Sequence, residues 1–120
     1  MTKRVLVVDN NHDMVTILLT LLRIEGYEGK GLYDAMDIVR SVREFKPDAV
    51  VMDIGMPQKN GWDAAREIRA NILNYRPLLI AMTGEHTMGS DQVLSEIAGF
   101  DHYLLKPAEP AVLLALLEKA

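Results

Sequence analysis

The sequence contains no cysteine, and this absence excludes two kinds of site. A disulfide framework and a thiolate-bound metal both require cysteine sulfur. A chain without cysteine is compatible with a reducing cytosol, so we expect a cytoplasmic protein. The three histidines are scattered without the paired spacing of zinc ligands, which makes a zinc site unexpected as well.

Long apolar runs and long basic runs are also missing. Only four apolar residues, Val5 to Val8, follow the N-terminal Lys3-Arg4, which is too few for a signal peptide or for a membrane span of about 20 residues. Lys3-Arg4 is itself the longest run of basic residues, and the formal net charge is −4. We therefore predict a soluble domain that binds neither a membrane nor the phosphate backbone of nucleic acid directly.

The length and the apolar content suit one compact domain. The chain has 120 residues, of which 49% are hydrophobic, and single domains most often have roughly 100–150 residues. No internal repeat or low-complexity tract divides it. We predict a single domain over residues 1–120, with no effector domain after its last helix, either as a stand-alone protein or as a piece of a larger one.

Short apolar runs rich in β-branched residues alternate with stretches of helical period. The predicted strands are Val5–Val8, Ala49–Met52, Leu78–Met82 and Tyr103–Leu105, with a weaker edge strand over Tyr27–Leu32. Runs that are apolar on both faces are typical of buried parallel strands. The alternation predicts an α/β fold with a parallel sheet and helices on both faces.

Five helices are predicted from apolar residues spaced three and four apart. Their expected inward-facing residues are Met14, Ile17, Leu18, Leu21 and Leu22; Ala35, Ile38, Val39 and Val42; Ala64, Ile68 and Ile72; Val93, Leu94, Ile97 and Ala98; and Val112, Leu113, Leu116 and Leu117. Gly26 and Gly99 are expected to end the first and fourth helices. Leu114 is expected to lie on the outer face of the fifth.

Polar residues follow four of the predicted strands. Asp9-Asn10 comes after the first, Asp53 after the third, Thr83 after the fourth and Lys106 after the fifth. Because parallel strands all point the same way, their carboxyl ends can bring these groups together. Two carboxylates and an amide carbonyl form the oxygen-rich site that suits Mg²⁺, and Lys106 supplies a countercharge.

Each of these residues also has a purely structural interpretation. An aspartate at a strand end is often a helix cap or a turn former, and Thr83-Gly84 could be a turn. Lys106-Pro107 could be an edge-protecting lysine followed by a proline stop. Tyr103 could be an ordinary half-buried strand aromatic. The joint occurrence of polar residues at four strand ends favours the functional interpretation.

Four segments together resemble the motif set of response-regulator receiver domains, the CheY-like domains of two-component signalling. These segments are Val5–Asn10, Val50–Gly61, Met82–Gly84 and Gly99–Pro107. The resemblance covers essentially the whole chain. It implies a flavodoxin-like (βα)5 fold, in which a five-stranded parallel sheet of order 2-1-3-4-5 lies between two layers of helices.

The resemblance implies a role for each residue of the constellation. Asp53 would be the nucleophile that accepts a phosphoryl group from a phosphohistidine. The Mg²⁺ ligands would be Asp9, Asn10, Asp53 and the backbone carbonyl of Gly55. Lys106 and Thr83 would each bind a phosphoryl oxygen. Thr83 would then follow the phosphate, and rotation of Tyr103 would remodel the surface of the fourth helix, fifth strand and fifth helix. We expect Leu114 on that surface.

One residue departs from the family pattern. Asn10 stands where the family usually has a second acidic residue, so the site loses one negative charge and Mg²⁺ is expected to bind more weakly. The resemblance also favours a cis peptide bond between Lys106 and Pro107. Glu85 and His86 lie in the loop where the family tunes dephosphorylation, although His86 is more simply read as an ordinary loop residue.

The implied partners follow from the same resemblance. The phosphodonor would be a sensor histidine kinase or a phosphotransfer protein, and the output a downstream effector or a homodimer formed through the remodelled surface. The domain would catalyse only its own phosphorylation and dephosphorylation, so it would not be an enzyme in the usual sense. The segment from Gly99 to Leu117 is most similar to receivers attached to hybrid sensor kinases.

Three other functions compete with this one. A phosphohydrolase of the haloacid dehalogenase kind places a second aspartate two residues after its nucleophile, where this chain has Gly55. A flavodoxin-like flavin protein needs a phosphate-binding loop after the first strand, where this chain has the acidic segment 9–13. A pseudo-receiver, which binds partners without being phosphorylated, stays open because of Asn10.

Overall fold

The computed structural model describes residues 2–84 and 90–120, except for the side chains of residues 90–92. Strands and helices alternate along the chain as predicted. Their bounds are β1 Arg4–Val8, α1 His12–Ile24, β2 Glu28–Leu32, α2 Ile38–Phe45, β3 Ala49–Asp53, α3 Gly61–Asn71, β4 Leu78–Thr83, α4 Ser90–Ala98, β5 His102–Leu105 and α5 Pro110–Leu117. In this part of the chain no helix is both long and apolar enough to cross a membrane.

The five strands form one parallel sheet in the order β2-β1-β3-β4-β5, which confirms the predicted topology. Neighbouring strands end almost level with each other. Val8 is paired with Met52, Asp53 with Met82, and Thr83 with Leu105. The polar residues that follow these strands therefore meet at one edge of the sheet.

The hydrophobic core lies on both faces of the sheet. Successive strand residues point to opposite faces, so Leu6 and Val8 join one core cluster while Val5 and Val7 join the other. The first cluster includes the inward residues of α2 and α3, and the second those of α1 and α5. The three-layer architecture predicted from the sequence is confirmed.

Helix α1 buries a different set of residues from the predicted stripe. Val15, Leu18 and Leu22 are buried, whereas Ile17 is 64% exposed, so the expected inward position of Ile17 is wrong. The neighbouring strand β2 explains the difference. A Cβ atom added at Gly31 would lie 2.5 Å from Val15 Cγ1, so the missing side chain leaves room for Val15 to pack against the strand.

Helix α4 also faces the core with unexpected residues. Val93 and Ile97 are 54% and 69% exposed, and Leu94 is exposed too, so three of the four predicted inward positions are wrong. Among residues 93–98, the inward residues are Ser95 and Ala98, which are 1% and 2% exposed. The apolar spacing predicts the wrong inward face for α4, because the larger apolar side chains of this helix are exposed to solvent.

Helix α5 is apolar on nearly all sides, so its sequence does not select one face. Leu113 and Leu117 are buried as predicted. Val112, expected inward, is 46% exposed, whereas Leu114 is partly buried against the core on the α1 side of the sheet. The expectation that Leu114 lies on an outer surface is therefore wrong, and Val112 takes that position.

The remaining local predictions agree with the structure. The predicted inward residues of α2 and α3 are buried or packed against the core. Gly26 and Gly99 follow α1 and α4 with φ angles of +88° and +113°, in a region that glycine enters without steric cost. Both residues end their helices as expected.

Candidate active site

Two buried carboxylates stand side by side at the carboxyl edge of the sheet. Asp9 follows β1 and is 3% exposed, and Asp53 ends the neighbouring β3 and is 8% exposed. A backbone N–H orients each of them. Asn11 N–H donates to Asp9 Oδ1 at 3.0 Å, and Gly55 N–H donates to Asp53 Oδ1 at 3.0 Å. The second oxygen of each carboxylate is then left for a common partner.

That partner is Lys106, which follows β5. Its Nζ lies 2.5 Å from Asp9 Oδ2 and 3.3 Å from Asp53 Oδ2. Lys106 N–H donates to Thr83 O at 2.7 Å, and the Lys106–Pro107 bond is cis, as predicted. One ammonium group neutralises one of two carboxylate charges, so the cluster keeps a negative charge that attracts a cation.

Thr83 completes the constellation at the end of β4, where it is 5% exposed. Together with Asp53 and Lys106 it lines an open pocket of about 330 Å³, which we call the acceptor pocket. Gly55 and Gly84 also line this pocket and are exposed. Both glycines lack a side chain that could cover Asp53, so the pocket stays open beside this largely buried carboxylate.

Helix α3 begins directly against the strand that carries Asp53. A Cβ atom added at Gly61 would lie 2.7 Å from Ile54 Cα and 2.8 Å from Asp53 O, so no larger residue fits there without a shift. Asn60 caps the helix, since its side chain accepts a hydrogen bond from Asp63 N–H at 2.9 Å. Gly61 therefore allows α3 to start at the edge of the acceptor pocket.

Trp62 is a residue of this pocket that the sequence interpretation missed. Its ring lines the acceptor pocket beside Asp53 and Thr83, and its Nε1–H donates to Ser95 Oγ of α4 at 3.0 Å. One signal was present in the sequence, because the only tryptophan of the chain directly follows Gly61. Nothing in a linear pattern links it to Ser95, which lies 33 positions away.

The expected metal ligands lie at the same edge, and their chemistry fits Mg²⁺. Asn10 directly follows Asp9 and is exposed, and Gly55 lies two residues after Asp53. The set consists of carboxylate, amide and carbonyl oxygens, the donors that a hard cation takes together with several waters. Among the side chains that the structure describes, no three from His, Cys, Asp or Glu form a metal-binding group. This result is consistent with the sequence, because Asn10 replaces the second acidic residue that would make a group of three with Asp9 and Asp53.

Tyr103 lies outside the acceptor pocket. It is paired with Ala81 across β4 and β5, packs partly buried against the core, and lines a separate cavity of about 260 Å³ with Ser95 and Val112. His12 stacks on the exposed ring of Tyr33 with the ring centres 3.7 Å apart. Glu85 and His86 lie outside the described residues.

Comparisons with known proteins identify the family. Residues 5–118 match the model of the response regulator receiver domain. The chain is 33% identical to the chemotaxis protein CheY of Thermotoga maritima over 120 residues, which cover 98% of that protein. It is 35% identical over 115 residues to the DNA-binding response regulator MtrA of Mycobacterium leprae, and spans 49% of that protein's length.

A solved structure supports the same assignment. The receiver domain of a sensor histidine kinase from Pseudomonas aeruginosa PAO1, solved with a magnesium ion coordinated in its active-site cleft, is 33% identical. The similarity covers 99% of this chain and 97% of that one, with a TM-score of 0.86. With its fold and the match over residues 5–118, this chain belongs to the family of response-regulator receiver domains.

Proposed function

We propose that this domain accepts a phosphoryl group on Asp53 from a phosphohistidine and thereby changes a surface that regulates a partner. The observation that carries the proposal is the convergence of Asp9, Asp53, Thr83 and Lys106 at one edge of the sheet. These residues come from four strand ends that are far apart in the sequence. The donor would be a sensor histidine kinase or a phosphotransfer protein in the cytoplasm.

The chemistry follows from the groups in the pocket. A carboxylate oxygen of Asp53 attacks the phosphorus, a P–O bond forms, and the P–N bond to the imidazole breaks with its electron pair leaving on nitrogen. Lys106 and Thr83 bind phosphoryl oxygens and stabilise their charge. The domain would catalyse only this reaction on itself and the later hydrolysis of its own acyl phosphate.

A divalent cation has a defined place in this proposal. Asp9, Asn10, Asp53 and the carbonyl of Gly55 would hold Mg²⁺, which when bound offsets negative charge at the transferring group. Asp9 and Asp53 are held by backbone N–H groups, so both carboxylates are already oriented for this role. Lys106 would turn from the carboxylates towards the phosphoryl oxygens.

The output surface would be formed by α4, β5 and α5. Thr83 and Tyr103 are the proposed switch residues, and Tyr103 lines the cavity between these elements. The neighbouring apolar side chains of Val93, Ile97 and Val112 are about half exposed or more. A downstream effector, or a second copy of the chain, would bind there. MtrA is a DNA-binding protein, but the present chain spans only half its length and no direct contact with nucleic acid is proposed.

Phosphorylation can be tested with a small-molecule donor. We expect that acetyl phosphate and Mg²⁺ add the mass of one phosphoryl group to the wild-type protein, as measured by intact-mass spectrometry. Asp53→Asn should abolish the gain, because an amide is not a nucleophile for this reaction. Asp63→Asn, which changes an exposed carboxylate on α3, is the matched control and should gain the same mass as wild type.

The alternative function makes the opposite prediction. A pseudo-receiver would bind partners through the same fold without chemistry at Asp53. The residue of this chain that favours this alternative is Asn10. A wild-type protein that stays at its original mass under these conditions would favour the pseudo-receiver. If Asp53→Asn gained the same phosphoryl mass as wild type, the phosphoryl group would be carried by a residue other than Asp53.

Asn10→Asp is expected to tighten Mg²⁺ binding by about tenfold. The change restores a second negative charge beside Asp9, and a divalent cation gains Coulomb energy from it. The affinity can be measured by titration calorimetry. Asn11→Asp is the control, because Asn11 is the N-cap of α1 and aspartate caps a helix about as well. Equal tightening in both variants, or none in Asn10→Asp, would contradict a ligand role for Asn10.

A further inference from the structure

Trp62 connects the acceptor pocket to α4 in a way that the proposed function does not use. It is the second residue of α3, and its ring lines the acceptor pocket beside Thr83. On the other side, its Nε1–H donates to Ser95 Oγ at 3.0 Å. One partly buried side chain thus contacts both the place where the phosphoryl group would arrive and the helix that would respond.

Ser95 is an unusual residue for the inward face of a helix. Its side chain is 1% exposed, and a buried hydroxyl costs free energy unless it has a hydrogen-bond partner. The other buried residue of α4 among positions 93–98 is Ala98, which offers little apolar surface. The larger side chains of Val93 and Ile97 point to solvent. The exposed positions of α4 therefore add little apolar packing, and the hydrogen bond from Trp62 is one of the contacts that hold the helix against the domain.

This hydrogen bond joins a residue of the acceptor pocket to a residue of the separate cavity that Tyr103 lines. Trp62 lines the first, and Ser95 lines the second together with Tyr103 and Val112. A phosphorylated aspartate brings about −1.5 to −2 charges and three acceptor oxygens into a pocket that Trp62 helps to line. The new charge would therefore arrive next to Trp62.

We propose that Trp62 is a positioning residue that couples phosphorylation to α4. Its hydrogen bond to Ser95 stabilises the position that α4 takes in the unphosphorylated protein, and phosphorylation of Asp53 weakens this bond. The inference rests on the proposed phosphorylation. Because coupling between two sites is reciprocal, removal of the bond should also make phosphorylation more favourable.

Two variants remove the bond from opposite ends. Trp62→Phe keeps an aromatic ring in the pocket wall and removes the donor, and Ser95→Ala removes the acceptor. Hydrogen–deuterium exchange of the amides of residues 93–98 reports the stability of α4, with and without acetyl phosphate and Mg²⁺. Intact mass establishes in each sample whether the protein is phosphorylated.

In the unphosphorylated state we expect both variants to exchange these amides about two- to tenfold faster than wild type, the range set by one partly buried hydrogen bond. In the phosphorylated state the difference from wild type should shrink towards none. Tyr75→Phe is the matched control, because it removes another half-buried aromatic hydrogen bond, to Pro47 O, without touching α4. Its response to phosphorylation should equal that of wild type.

A structural role without coupling predicts a different result. It would raise exchange by the same factor in both states, and that outcome would overturn the inference while leaving the proposed function intact. A wild-type protein that gains no phosphoryl mass would overturn both. If both variants proved unfolded by circular dichroism, wild-type fluorescence would decide, because Trp62 is the only tryptophan. Phosphorylation should then change its emission, and an unchanged spectrum would also overturn the inference.

Discussion

Lys106→Met is expected to slow phosphorylation of Asp53 by acetyl phosphate about 10²- to 10³-fold, the range found when one charge-stabilising donor is removed from an active site. Lys106 Nζ is the cation that contacts both Asp9 and Asp53, and its side chain is only 15% exposed. Methionine preserves most of the length and apolar volume of the lysine, so the loss is mainly that of charge. The rate of mass gain measures the effect.

The control for this variant is Lys119→Met, which removes the same charge from an exposed lysine just after α5. Its rate should stay close to that of wild type. The two variants should also differ in Mg²⁺ affinity, because Lys106 competes with the cation for the same carboxylates. Tighter Mg²⁺ binding with slow phosphorylation in Lys106→Met separates the role of lysine at the phosphoryl group from metal binding. A rate equal to that of Lys119→Met would contradict this role.

Asp101→Ala is expected to lower the free energy of unfolding by about 2–4 kcal/mol, in the range for breaking a largely buried ion pair that keeps some solvent contact. The carboxylate accepts hydrogen bonds from Arg69 Nη2 at 2.9 Å, Arg76 Nη2 at 3.0 Å and Leu79 N–H at 2.9 Å. It thus ties the end of α3 and the start of β4 to the turn before β5. Urea denaturation followed by circular dichroism measures the change.

The large expected loss comes mainly from Arg69. Burial lowers the pKa of its guanidinium below the usual value, and the negative charge of Asp101 opposes that shift. Its other hydrogen bonds, to Gly99 O and Pro77 O, are to neutral carbonyls, so removing Asp101 leaves a largely buried cation without its nearby carboxylate. Asp63→Asn, which weakens an exposed ion pair with Arg66, is the control and should change stability little. If both variants lost a similar free energy of unfolding, burial of the Arg69–Asp101 ion pair would not explain the effect of Asp101→Ala.

The order of elements along the chain and the position of the candidate active site could be predicted from the sequence alone. Short apolar runs that are buried on both faces leave few alternatives to a parallel sheet, and a parallel sheet brings all carboxyl ends to one edge. The placement of Asp9, Asp53, Thr83 and Lys106 at strand ends was therefore enough to predict that they meet. The structure adds which atoms meet, with Lys106 Nζ shared between the two carboxylates.

The faces of α1, α4 and α5 were decided only by the tertiary structure. Ile17, Ile97 and Val112 have the spacing of core residues but lie at the surface, because apolar periodicity records where apolar groups are and not which of them face the sheet. The hydrogen bond between Trp62 and Ser95 is a further case, since it joins two helices through a donor and an acceptor that no local pattern relates. The sequence by itself determined the order of the elements and the edge at which the polar residues meet, because a helix between successive strands makes those strands run parallel and brings their carboxyl ends together. Only the tertiary structure decided which side chains of α4 contact the domain, because these contacts depend on the side chains that α3 and β5 present to the helix.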